Sequence, residues 1–104
     1  MKIGFVNFTE MDYDINTPHV APLGGSESAM CYLAGELARV GHSVTLFNQR
    51  GQGEVIGGVV HWSREMLNKK EFLAEIEVMV LQNTPDAVDS LKQYLPPTTK
   101  LIFW

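Results

Sequence analysis

Two consecutive glycines, Gly24 and Gly25, stand directly before a run of residues with helical spacing, and Ser26 and Glu27 follow them. A glycine has no Cβ, so a ligand can approach its backbone N–H closely. The first turn of a helix adds N–H groups that lack an intrahelical acceptor, and the positive end of the helix dipole. Such a pattern suits recognition of an anion, a phosphate above all, by Gly24, Gly25 and Ser26. The plainer reading is that the glycines only let the chain turn tightly into the helix. Glu27 complicates the anion reading, because a carboxylate there stabilises the helix by about 0.3–1 kcal/mol but repels a phosphate. It either pairs with the helix dipole or faces a sugar hydroxyl or a cation. His19, between Pro18 and Val20, is an exposed loop histidine or a second sugar-binding group. Gln82, Asn83 and Thr84 follow another apolar run and are placed to reach sugar hydroxyls, although Thr84 suits a helix cap equally well.

Other chemistries find less support. Gly51-Gln52-Gly53 with Gly57 superficially resembles a dinucleotide fingerprint, but a strand rather than a helix follows it. His19, His42 and His61 are dispersed, with no pair at helical spacing and no cysteine beside them, so no metal site is expected. No serine or cysteine lies in a nucleophile elbow. The lone Cys31 falls among Met30, Leu33 and Ala34 and reads as core.

The elements that must position these residues follow from hydrophobic spacing. Ile3 to Phe8 is an apolar run of the length of a buried parallel strand. The stretch Thr9 to Gly25 has no apolar period and reads as a long loop of the functional kind. From Ser26 to Val40, Met30, Leu33, Ala34, Leu37 and Ala38 recur at helical spacing, with Ser26 as the expected cap and Gly41 as the stop. His42 to Asn48 is a second strand, which completes a βαβ unit. Gln49 to Gly58 reads as irregular. Val59 to Trp62 is a short strand whose direction is open between a hairpin and a parallel return. Glu65 to Glu75 is a poorly periodic helix and Val78 to Leu81 a strand. A helix opens at Thr84-Pro85-Asp86, with Val88, Leu91, Tyr94 and Leu95 as its buried stripe, and stops at Pro96-Pro97. Leu101 to Trp104 completes a mostly parallel sheet of about five strands with helices on both faces, a Rossmann-like three-layer α/β/α domain. Ligands of such sheets collect beyond the carboxyl ends of the strands, and that places the loop from Thr9 to Gly25 at the site.

Composition bounds the remaining choices. The 104 residues are 45% hydrophobic and 19% charged, which suits one globular domain. A net charge of −4 without a basic run argues against a nucleic-acid partner. No apolar stretch reaches the length of a membrane span and no signal peptide opens the chain, so a cytoplasmic location is expected.

The string Pro22-Leu23-Gly24-Gly25-Ser26-Glu27-Ser28, then Leu33-Ala34 and Leu37-Ala38, then Gly41-His42-Ser43-Val44-Thr45 resembles the N-terminal domain of the group-one (family four type) retaining glycosyltransferases of GT-B fold. That resemblance covers mainly residues 1–48. It implies hexosyl transfer from a nucleotide-sugar donor to a sugar or other hydroxyl acceptor, in a cleft between two Rossmann-like domains. The N-terminal domain mostly holds the acceptor, and Gly24 and Gly25 come near the donor diphosphate. No separate cofactor is implied. Two family features are missing: the histidine after the fifth strand, and the E-x7-E donor motif of the C-terminal domain. The sequence therefore reads as an acceptor-side domain without its C-terminal partner, inactive alone. The alternative is a stand-alone nucleotide or sugar-phosphate binding module. A dinucleotide-dependent oxidoreductase is disfavoured because strand two ends in Asn48-Gln49 rather than an acidic residue.

Overall fold

The apolar run near the N-terminus forms β1 (Lys2–Asn7), buried from Ile3 to Asn7. A strand buried on both faces needs neighbours on both sides and layers above and below. A computed structural model places a strand on each side of β1; it describes residues 1–8, 13–21, 24–49, 51–82 and 88–104, the side chains of Val88 and Ser90 excepted. In chain order the elements are β1, α1 (Thr17–Val20), α2 (Gly25–Arg39), β2 (Ser43–Asn48), β3 (Gln52–Ile56) and β4 (Val59–Ser63). A 3₁₀ helix (Arg64–Asn68), α3 (Lys70–Leu73), β5 (Val78–Gln82), α4 (Val88–Lys92) and β6 (Lys100–Phe103) follow.

The strands make one six-stranded sheet in the order β3-β4-β2-β1-β5-β6. Every neighbouring pair is parallel except β3 with β4. Side chains alternate between two apolar clusters, as the pleat requires. Ile3 and Phe5 of β1 join Val44, Leu46, Val80 and, from α2, Met30, Cys31 and Ala34. Val6 joins Phe47, Met79 and Leu81 with Leu73 of α3 and Leu91 of α4.

The long helix lies one residue earlier than its periodicity suggests. Its N-cap is Gly24 and not Ser26, which sits inside the first turn; no side chain caps the end. A serine after two glycines is two positions too late, because Gly24 already supplies the extended backbone that a cap needs (φ −58°, ψ 153°). The other end is as expected. Gly41 has φ +107°, and the N–H groups of Gly41 and His42 bond to the carbonyls of Ala38 and Leu37. This is a Schellman closure, which favours glycine at that place.

The stretch 49–58 is not irregular throughout. It contains β3, which brings the sheet to six strands, and a hairpin to β4 through Gly57 and Gly58 at φ +58° and +79°. Two successive residues of positive φ give the turn a twist that matches paired strands. The open question of direction has a double answer: β4 runs parallel to β2 and antiparallel to β3. The helix expected over 65–75 is divided into the 3₁₀ helix and one turn of α3, with Lys69 extended between them. The loop after β1 is not featureless either, since it holds α1 and buries Tyr13 and Ile15. The helix start at 84–86 lies outside the described residues; α4 ends at Lys92, short of the expected stop at Pro96, so that Leu91 is buried from the helix while Tyr94 and Leu95 pack beside it from the turn that follows. No helix among the described residues is long and apolar enough to cross a membrane.

Candidate functional site at the carboxyl edge of the sheet

Parallel pairing sets the last residues of β1, β2, β4 and β5 along one edge, and α2 begins beside it. Asn7 and Gln82 are register partners at the ends of β1 and β5. Both are buried, as is Glu27 in the first turn of α2. The Asn7 side-chain amide donates to Gln82 Oε1 and, at 3.5 Å, to Glu27 Oε2. The Gln82 amide in turn donates to the Ser26 carbonyl at 2.8 Å. These bonds tie two adjacent strand ends to the helix start and fix where Gly24 and Gly25 stand.

The helix start offers unused donors. Its first internal bond runs from Ser28 N–H to the Gly24 carbonyl at 2.8 Å, so the N–H groups of Gly25, Ser26 and Glu27 have no acceptor within the helix. Gly25 and the side chain of Ser26 are exposed. Glu27 lies against the same end as a buried carboxylate. Its one hydrogen bond is the long contact to Asn7, and no cation among the described residues pairs with it.

Buried polar groups behind the edge hold the loop in place. Asn48, ending β2, donates to the Tyr13 carbonyl at 2.9 Å and accepts from Gly51 N–H at 2.7 Å. His61 of β4 accepts from Ile15 N–H at Nε2 (3.1 Å), while Nδ1 lies 2.9 Å from the Val59 carbonyl. Those two contacts assign the ring proton to Nδ1. The Tyr13 side chain is buried, and its hydroxyl has no hydrogen-bond partner among the described residues. Burial, the Cys31 thiol and the Glu27 carboxylate all push the phenol up from its ordinary value, and the Arg64 guanidinium opposes them. Arg64 joins three segments of the edge: it donates to the Asn7 carbonyl at 3.0 Å and to Gln49 Oε1 at 2.6 Å, and lies 5.3 Å from the centre of the Phe8 ring. Beside it, Phe8, Leu67, Leu91 and Tyr94 help line a cavity of about 280 Å³.

Of the residues singled out from sequence, Gly24, Gly25, Ser26, Glu27 and Gln82 come together at this edge. His19 does not; it lies on α1, edge-on to Tyr32 at 5.2 Å between ring centres, on a flank of α2. Asn83 lies outside the described residues. Asn7, Tyr13, Asn48, His61 and Arg64 were not legible as site residues. A polar residue closing an apolar strand was the available signal for Asn7.

Cys31 is buried and its Sγ donates to the Asp14 carbonyl at 3.7 Å, in keeping with a core role. Burial, with help from Asp14 and Glu27, pushes its thiol from an ordinary value near 9 to about 12. A group that holds its proton more tightly when folded contributes fully below its unfolded pKa and loses that contribution as pH rises toward the folded one. Stability therefore falls as pH is raised from about 9 to about 12, with Tyr13 acting in the same sense. Thermal melts across that range check the direction. Thiol labelling at pH 8 is expected to be far slower for folded than for unfolded chain. Among the described residues no three metal-ligating side chains stand together. Comparison with protein-family models, with curated proteins and with solved structures finds no match to this chain.

Proposed function

We propose that the chain is a Rossmann-like three-layer domain acting as the acceptor-side half of a GT-B glycosyltransferase. In this reading the N–H groups of Gly25 and Ser26 receive the diphosphate of a nucleotide-sugar donor. The observation that carries it is that the fold does not itself require these glycines. Gly24 has a backbone conformation open to any residue, and a Cβ built on Gly25 meets nothing within 4 Å among the described atoms. A tight turn therefore does not account for the pair, whereas close approach of a ligand to bare N–H groups does. The cavity beside Arg64 gives an acceptor an apolar wall at the same edge.

Half of a cleft supplies few contacts. Association costs on the order of 4–15 kcal/mol before affinity appears, and each hydrogen bond returns roughly 0.5–1.5 kcal/mol, or about 1.5–3 when charged. The 104-residue chain is therefore expected to show no transfer activity and weak binding of UDP-, GDP- and ADP-sugars. The test is titration of ¹⁵N-labelled chain with each sugar nucleotide, with a product assay alongside. Shifts centred on the Gly25 and Ser26 amides are expected. Gly25→Val should keep the fold, since its Cβ has open space, and lose those shifts. Silence at both amides for every nucleotide would overturn the reading. Micromolar affinity or turnover would favour a self-sufficient binding module or enzyme.

A further inference from the structure

The second apolar cluster is left open at the carboxyl edge. Leu91 of α4 is buried and Leu67 and Tyr94 pack against the same cluster, yet between these three and Phe8 lies the cavity of about 280 Å³ beside Arg64. Phe8 is 39% exposed, although it directly follows the buried run of β1. Its ring is nevertheless braced: the Arg64 guanidinium lies 5.3 Å from the ring centre while donating to the Asn7 carbonyl and to Gln49 Oε1. A large apolar side chain that is held in place but left uncovered, in line with other apolar walls, marks a surface for a ligand. Asn7 turns to the other face of the sheet, toward Glu27 at the start of α2. The cavity and the Gly24-Gly25 turn therefore share one edge from opposite faces.

Size and lining name the occupant. A cavity of about 150 Å³ walled by such side chains stays dry and takes up benzene, so one of about 280 Å³ has room for a single ring or two fused ones. Two of the four apolar walls, Phe8 and Tyr94, are themselves rings. Aromatic pairs gain more than their buried area accounts for, which favours a flat π system over an alkyl chain. Glu65 and Asn68 also line the cavity; both are exposed, and their side chains make no hydrogen bond among the described residues. A carboxylate only accepts, so Glu65 suits a hydroxyl on the edge of the ring and repels a second carboxylate. We infer that the cavity binds a neutral phenolic group of one or two fused rings, its hydroxyl turned toward Glu65 and Asn68. In the transferase reading this names the acceptor as an aromatic alcohol rather than a bare sugar; the inference rests on that reading for the use of the hydroxyl and not for the binding of the ring.

The Leu67 and Leu91 methyls report directly on the cavity. Methyl-labelled chain is titrated with 2-naphthol, 2-naphthoate, 1-octanol and glucose. 2-Naphthol is expected to shift both residues saturably, with a Kd of about 1 mM or tighter, and to show nuclear Overhauser contacts to the Tyr94 ring. 2-Naphthoate and 1-octanol should bind about tenfold more weakly, and glucose should leave the methyls unmoved. Phe8→Ala removes one exposed wall and should weaken 2-naphthol about tenfold. Leu67→Trp fills the cavity from another wall and should abolish the shift at Leu91. None of these ligands should move the Gly25 and Ser26 amides, so silence of those amides toward sugar nucleotides would sink the transferase reading and leave the ring site standing. Absence of a 2-naphthol shift, equal or tighter binding of 2-naphthoate or 1-octanol, a glucose shift at the same methyls, or affinity indifferent to both substitutions would overturn the inference.

Discussion

Replacing Gly51 with alanine is expected to destabilise the chain by about 3 kcal/mol, the upper end of ordinary overpacking. A Cβ at this position would stand 2.5 Å from the backbone N and C of Trp62 and 2.6 Å from the carbonyl carbon of His61. Those atoms belong to β4, which is held on both sides by β2 and β3, so no flexible side chain can swing away. Relief requires the segment around Gly51 to lift, which would break its N–H bond to Asn48 Oδ1. At about 4–8 °C per kcal/mol for a domain of this size, the melting temperature should fall by well over 10 °C. A variant that melts with its parent would show that the backbone at Gly51 stands farther from β4 than these distances. Gly53→Ala should cost less: although Gly53 has φ +94°, its nearest neighbour is the movable rim of the Trp62 ring.

His61→Leu is the second large effect. The imidazole is buried and serves two backbone groups at once, Ile15 N–H and the Val59 carbonyl. Leucine fills comparable space but leaves a buried N–H without an acceptor, which costs about 1–3 kcal/mol. Loss of the second bond adds to this. Since Ile15 and Tyr13 are both buried against α2, the damage should spread into the loop after β1. Hydrogen exchange separates local from global loss: the Ile15 amide should exchange faster by more than the change in overall stability explains. An unchanged Ile15 amide would mean that another acceptor replaces His61.

Much of this architecture can be read from spacing alone, and the gaps have physical reasons. β1, β2 and β5 are central or next to central, so their buried runs are apolar and conspicuous. Gly41 is legible because only a left-handed residue closes the helix in this way. β3 is hidden because it is an edge strand; its Gln52, Glu54 and Val55 face solvent, so it lacks the continuous apolar run of the inner strands. The 3₁₀ helix and α3 are too short for periodicity to register. At the site, backbone-level cues mark Gly24 to Glu27. Gln82 is legible as the polar end of an apolar run, but Asn7, and its pairing with Gln82, gain their meaning only from a register between strands 75 residues apart in sequence. His61 is silent because its partners are main-chain atoms, which no spacing of side chains reveals. Tyr13 looks like loop until tertiary packing buries it.

The place of β1 has a consequence for the order in which the molecule assembles. As the first strand made, it becomes an inner strand whose neighbours arrive at different times: β2 soon afterwards, β5 only after residue 78. Chain closure over the longer span adds only about 0.5 kcal/mol of entropy, so the delay is one of synthesis rather than of thermodynamics. Until β5 docks, Asn7 sits at an unfinished edge and the Ser26 carbonyl lacks the Gln82 amide. A nascent chain can thus have its first βαβ unit in place while the groups that surround Glu27 are still apart. The polar edge matures last, and its amides give a timing mark for completion of folding that the apolar clusters cannot.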